Sequence, residues 1–118
     1  MTALEHEDSP VYLKLRATIA AAILRGEYRA GDQLPSVRAL AAEHGANPLT
    51  VAKAYQTFQE DGIVTVRRGV GMFVVQGAAD KLRVAARAHF LDEEWPEIAE
   101  RIRRLDIDPA ELFEHLPA

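Results

Sequence analysis

A chain of 118 residues, 48% hydrophobic and 27% charged, has room for one compact domain with a short appendage and is too apolar to stay disordered. It has no cysteine, which excludes a disulfide framework and a thiolate metal site, and no apolar run as long as a membrane span. The formal charge of −4 argues against a uniformly basic nucleic-acid binder, so any such role requires a local basic surplus.

The first residues are acidic and polar, unlike a signal peptide, and a cytoplasmic protein with no membrane partner is expected. Ser9 and Pro10 then make a helix start. Tyr12, Leu15, Ile19, Ala22 and Ile23 recur at three- and four-residue intervals up to Gly26, which predicts a first helix with one buried stripe. Gly31-Asp32 is a turn signal, and Gln33-Leu34-Pro35 reads as a brief strand leading into Ser36.

Two short amphipathic runs follow, Ser36 to His44 and Pro48 to Glu60. Ser36 suits the N-cap of the first, in which Val37, Leu40 and Ala41 share a side, and Gly45 supplies the permissive backbone that ends it. Asn47 can cap the second, with Pro48 at the first helical position, where its missing N–H costs nothing. The join Gly45-Ala46-Asn47 is too tight for antiparallel helices, so the pair reads as a helix-turn-helix. In the second helix Val51, Ala54, Tyr55 and Phe58 form the apolar back. Asn47, Thr50, Lys53 and Thr57 lie mostly off it, a set of short hydrogen-bonding groups and one long cation that suits base edges and phosphates in a major groove. Two packed helices with a merely solvated polar face would give the same pattern.

After Gly62 the β-branched run Ile63 to Val66, the tip Arg67-Arg68-Gly69-Val70-Gly71 and the run Met72 to Val75 predict a hairpin. A hairpin directly after a helix-turn-helix is a wing. Arg67 and Arg68 could be a solvated tip, but their place after the candidate recognition helix favours contact with phosphates or the minor groove. The charge distribution agrees: residues 1–9 carry −3, residues 10–76 carry +3 and residues 77–118 carry −4. Exposed charges are screened beyond ~10 Å, so the local surplus counts for more than the total.

The sequence from Gly31 to Ala41 (GDQLPSVRALA), that from Asn47 to Tyr55 (NPLTVAKAY) and that from Gly62 to Val74, preceded by Pro10-Val11-Tyr12, resemble in order the GntR family of bacterial transcription regulators. The Asn47-Pro48 wording and the short tail are similar to its YtrA subfamily in particular. The resemblance implies a winged helix-turn-helix over residues 10–76 and a homodimeric repressor on an inverted-repeat operator, often beside ABC transporter genes. It also implies roles at matching positions: Arg38 at the start of the second helix, with Ser36 before it; Asn47, Pro48, Leu49, Thr50 and Lys53 along the recognition helix; Arg67, Arg68 and Gly69 at the wing. Pro48 and Ala52 stand where many relatives outside the subfamily have arginines, and Val70 where a basic wing residue is common. Base readout therefore leans on Arg38, Asn47 and Lys53.

From Ala78 the helical pattern returns. Leu82, Ala85, Ala86, His89 and Phe90 form one side of a first run, and Trp95, Ile98, Ile102 and Leu105 that of a second after Asp92-Glu93-Glu94. Pro96 suits a first turn or a bend. A third short helix begins at Asp108-Pro109 and buries Leu112, Phe113 and Leu116. Some 40 residues cannot enclose a core alone. Residues 77–118 are therefore expected to be a dimerisation and effector region, with Leu82, Phe90, Trp95, Ile98, Ile102 and Leu105 at the subunit contact.

The overall expectation is a mainly α fold with a small β-hairpin, an N-terminal winged helix-turn-helix followed by a short all-α C-terminal dimerisation region. The partners are double-stranded DNA, a second copy and a small-molecule effector of unspecified identity. His6, His44, His89 and His115 lack metal-ligand spacing, Asp92-Glu93-Glu94 point apart on a helix, and there is no nucleophile–base pair or cofactor loop. Neither an enzyme, a cofactor nor a metal is expected. The alternative is a winged helix used for protein–protein assembly without DNA.

Overall fold

A computed structural model of the chain describes residues 10–117. Ser9 and His6 lie outside the described residues. Helix α1 (Val11–Leu24) buries Leu15, Ile19, Ala22 and Ile23, but Tyr12, expected in the same stripe, is only half-buried at its first turn. Helix α2 (Val37–His44) begins where the Ser36 hydroxyl accepts from Ala39 N at 3.1 Å. It ends at Gly45, which takes the left-handed conformation at φ 62°. Helix α3 (Pro48–Glu60) begins where Asn47 Oδ1 accepts from Leu49 N at 2.8 Å, with Pro48 at its first turn.

The wing is an antiparallel pair, β1 (Val64–Arg67) and β2 (Gly71–Val74), in the register Val64↔Val74 to Arg67↔Gly71. The expected strand at Gln33-Leu34-Pro35 is a single bridge, Gln33 to Phe73. Leu34 N donates to Met72 O and Val74 N to Asp32 O, both at 2.9 Å. Pro35, which has no N–H to donate, ends the pairing there.

These elements close around one apolar cluster in which α3 supplies the centre: Val51, Ala54 and Phe58 are fully buried and Tyr55 nearly so. The Tyr55 hydroxyl donates to Pro35 O at 2.7 Å and so satisfies a carbonyl just before α2. Burial pushes the Tyr55 phenol well above its ordinary range, with Tyr28 and the Glu43 carboxylate adding in the same direction. A raised folded-state value means that the contribution is complete below the unfolded value near 10 and is lost as pH rises above it. Tyr55→Phe is expected to lower stability at pH 7 by about 1 kcal/mol, since it leaves the Pro35 carbonyl without its donor. Urea unfolding should show the gap from wild type narrowing above about pH 10. A gap that widens there would contradict the assignment.

Helix α4 (Ala78–His89) corrects one expectation. Leu82, placed by its pattern at the subunit contact, is 7% exposed and belongs to the winged-helix cluster together with Ala78, one turn earlier on the same face. Lys81 Nζ donates to Gly62 O at 3.3 Å and ties the same turn to the end of α3. The first compact unit accordingly runs through Arg83, and the second begins at Val84.

In the second unit the backbone stays helical through the acidic cluster. Phe90–Glu94 form a wide π turn that leads into α5 (Trp95–Arg104), where a break between separate helices was expected. Pro96 accounts for this: its ring would collide with the carbonyl four residues earlier in a regular α-helix, and a wider turn relieves the contact. Helix α6 (Pro109–Glu114) is capped by Asp108 Oδ1, which accepts from Ala110 N at 3.0 Å. None of residues 84–117 is buried in the single chain. Of the side chains expected to be covered by α6, Leu112 is half-buried, while Phe113 and Leu116 are exposed.

Candidate nucleic-acid interface

The caps that define the helix-turn-helix also set which groups it can present. Ser36 Oγ and Asn47 Oδ1 are committed to their helix starts, so the Asn47 contribution outward is its amide N–H₂ group. Pro48 is exposed at the first turn of α3, and Leu49 beside it is 79% exposed. Thr50 is half-buried and Lys53 exposed on the turn that follows. Leu49, Thr50 and Lys53 line a shallow depression of about 300 Å³ together with Val11 and Tyr12 of α1. Lys53 Nζ lies 4.2 Å from the centroid of the Tyr12 ring. The ring restrains a long flexible cation without neutralising it.

Thr57 does not join this set. Arg16 Nε donates to its hydroxyl at 2.9 Å, and the same guanidinium pairs with Asp61 at 2.6 Å while stacking 4.6 Å over the Phe58 ring. Thr57, one turn past Lys53, is therefore bound to α1 through Arg16, whereas Gln56 beside it stays exposed. Tyr12 was hidden by its spacing, which continues the buried stripe of α1. Only the long-range approach of α3 shows that it serves Lys53.

At the wing, Arg67 stacks 4.4 Å from the centroid of Phe73, its diagonal neighbour across the hairpin. Arg68 is exposed, and Gly69 turns the tip at φ 77°. Gln33 Nε2 donates to Val70 O at 2.8 Å, fixing the tip from the preceding segment. Gly71 leaves room for that side chain, since a Cβ there would collide with Gln33 Nε2. Arg38 and Arg68 lie outside the depression. Among the described residues Arg38, Lys53, Arg67 and Arg68 have no carboxylate partner, whereas Arg16 and Arg25 are paired with Asp61 and Glu27. Arg29 is likewise unpaired among the described residues, but only the four named here lie on the helix-turn-helix and the wing, and their positive charge is what a phosphate backbone would meet there.

Residues 11–74 match the family described as bacterial regulatory proteins, gntR family. The chain is 33% identical over 100 residues to the HTH-type transcriptional repressor YtrA of Bacillus subtilis, a match covering 85% of this chain and 71% of that protein. A GntR family transcriptional regulator from Listeria monocytogenes has a similar structure, with a TM-score of 0.73 at 26% identity over 91% of this chain and 92% of that one. YtrA from Sulfolobus acidocaldarius, a GntR-family transcription factor, aligns with a TM-score of 0.54 at 33% identity over 83% and 89%. Two other curated relatives are matched over only part of their length: the match covers 57% of one and 14% of another. These relatives are transcription regulators rather than enzymes, and among the described residues no helix is long and apolar enough to cross a membrane. The chain belongs to the GntR family of bacterial regulatory proteins and, within it, to the YtrA-like subfamily.

Proposed function

We propose that the protein is a sequence-specific DNA-binding transcription regulator of the cytoplasm, a homodimeric repressor that reads an inverted-repeat operator. The observation that carries this reading is the first turns of α3, where Leu49, Thr50 and Lys53 face outward from a fully apolar back. Such a helix can enter a major groove without disturbing the core. Arg38 and Arg68, exposed and without carboxylate partners among the described residues, supply phosphate or base contacts on either side of it in the sequence. The repressor sense follows the similarity to B. subtilis YtrA, and the subfamily resemblance of the sequence makes ABC transporter genes the expected neighbours of the operator. The tail offers a groove of about 600 Å³ lined by Trp95, Ile102, Ile107, Leu112 and Phe113, and at the boundary of the proposed subunit contact it is the proposed place for a small apolar effector.

Anisotropy titrations of the protein's own promoter region test this. Arg38→Ala and Lys53→Ala should each weaken binding by about 1–3 kcal/mol. A variant that no longer touches one phosphate should show a slope of log K against log salt shallower by about one. Equal affinity for promoter and random DNA would count decisively against the proposal. Variants that bind like wild type would remove these residues from the interface.

A further inference from the structure

Leu49 is the most exposed of the large hydrophobic side chains among the described residues, at 79%. It stands in the first turn of α3, held there by the cap from Asn47 Oδ1 to its own backbone N–H. Its neighbour across the depression, Val11 of α1, is exposed too, at 61%. Two aliphatic groups facing water beside Lys53 gain nothing in the single chain. The packing of α3 does not require leucine here either, since its buried side chains are Val51, Ala54, Tyr55 and Phe58.

On the reading of α3 as a recognition helix, we infer that Leu49 is a specificity-determining residue that reads the 5-methyl group of a thymine in the major groove. The thymine methyl is the apolar feature that a base pair presents there, and aliphatic contact with it discriminates T from C and from the purines. Lys53 and Thr50 on the same depression supply the polar surroundings. The ammonium suits an adjacent phosphate and the hydroxyl an adjacent base edge. Charge complementarity thus commits the surface to duplex DNA, and the exposed leucine commits one step of the operator to thymine. Val11 adds to the apolar wall from outside the recognition helix.

The test removes the methyl and nothing else. Within the operator retained by the full-length wild-type protein, each thymine of a half-site is replaced in turn by deoxyuridine, and affinity is read by anisotropy. One position should lose about fourfold, the effect of burying one methyl-sized group, and roughly fifteenfold when both half-sites are substituted. Leu49→Ala should weaken binding to the thymine operator by at least as much. It should also bind thymine and deoxyuridine versions equally, because its contact is already gone. Leu49 is outside the core, so circular dichroism of the variant should match wild type.

If wild type binds its operator specifically but no deoxyuridine lowers the affinity, the inference falls and the DNA reading stands. A deoxyuridine penalty that survives unchanged in Leu49→Ala overturns it as well. Absence of any specific operator removes both.

Discussion

Replacing Trp95, Ile98, Ile102 and Leu105 together with alanine is expected to turn a dimer into monomers and to weaken operator binding by about a hundredfold or more. The reason lies in what the second unit lacks. Its helices bury no side chain within the single chain, and Leu105 is 64%, Phe113 73% and Leu116 63% exposed. Apolar patches of this kind are rarely left to water. A second copy is the proposed cover, because a two-fold pair presents two recognition helices to two half-sites, and the second contact then forms at high effective concentration. Of the six side chains expected at the contact, Leu82 is omitted since it serves the winged-helix core, and Phe90 is left in place at the π turn. Sedimentation velocity at micromolar concentration checks the result. A dimer that persists in the quadruple variant would place the subunit contact elsewhere.

Phe58→Ala should lower stability by about 3–5 kcal/mol, as expected for truncation of a fully buried phenylalanine. Total stability for a domain of this size is of order 5–15 kcal/mol, so the midpoint of thermal unfolding should fall by well over ~10 °C. The loss includes more than transfer. Phe58 packs at the centre of the cluster, and its ring carries the Arg16 guanidinium that also binds Thr57 and Asp61. Removing the ring loosens the attachment of α3 to α1 from inside. A loss below about 1 kcal/mol would mean that the site collapses around the cavity, contrary to the packing described.

The helix-turn-helix and the wing were legible because their signals are local. Ser36, Gly45 and the Asn47-Pro48 pair fix three helix ends within a few residues of themselves, and the structure puts each end where the chemistry demands. The β-branched run after Gly62 did the same for the hairpin. What could not be read was set by partners far away in sequence. Thr57 looked like a free polar group until Arg16, 41 residues earlier, claimed it. Tyr12 kept helical register with the buried stripe yet is spent on Lys53, and Arg67 looked like a free tip but stacks on Phe73. Leu82 continued the pattern of the tail, yet α4 enters the first core with its opening turn. The π turn at Phe90–Glu94 escaped because an acidic cluster before a proline reads equally well as a break.

In the proposed function α3 is held outward to meet duplex DNA twice through a paired molecule. Sequencing the genomic fragments that the purified full-length protein retains tests it most directly. A two-fold dimer should enrich an inverted repeat whose half-sites lie about one helical turn of ~34–36 Å apart, or a multiple, with thymine at one fixed step of each. No enrichment over randomly sheared DNA, or an enriched site without two-fold symmetry, would contradict it.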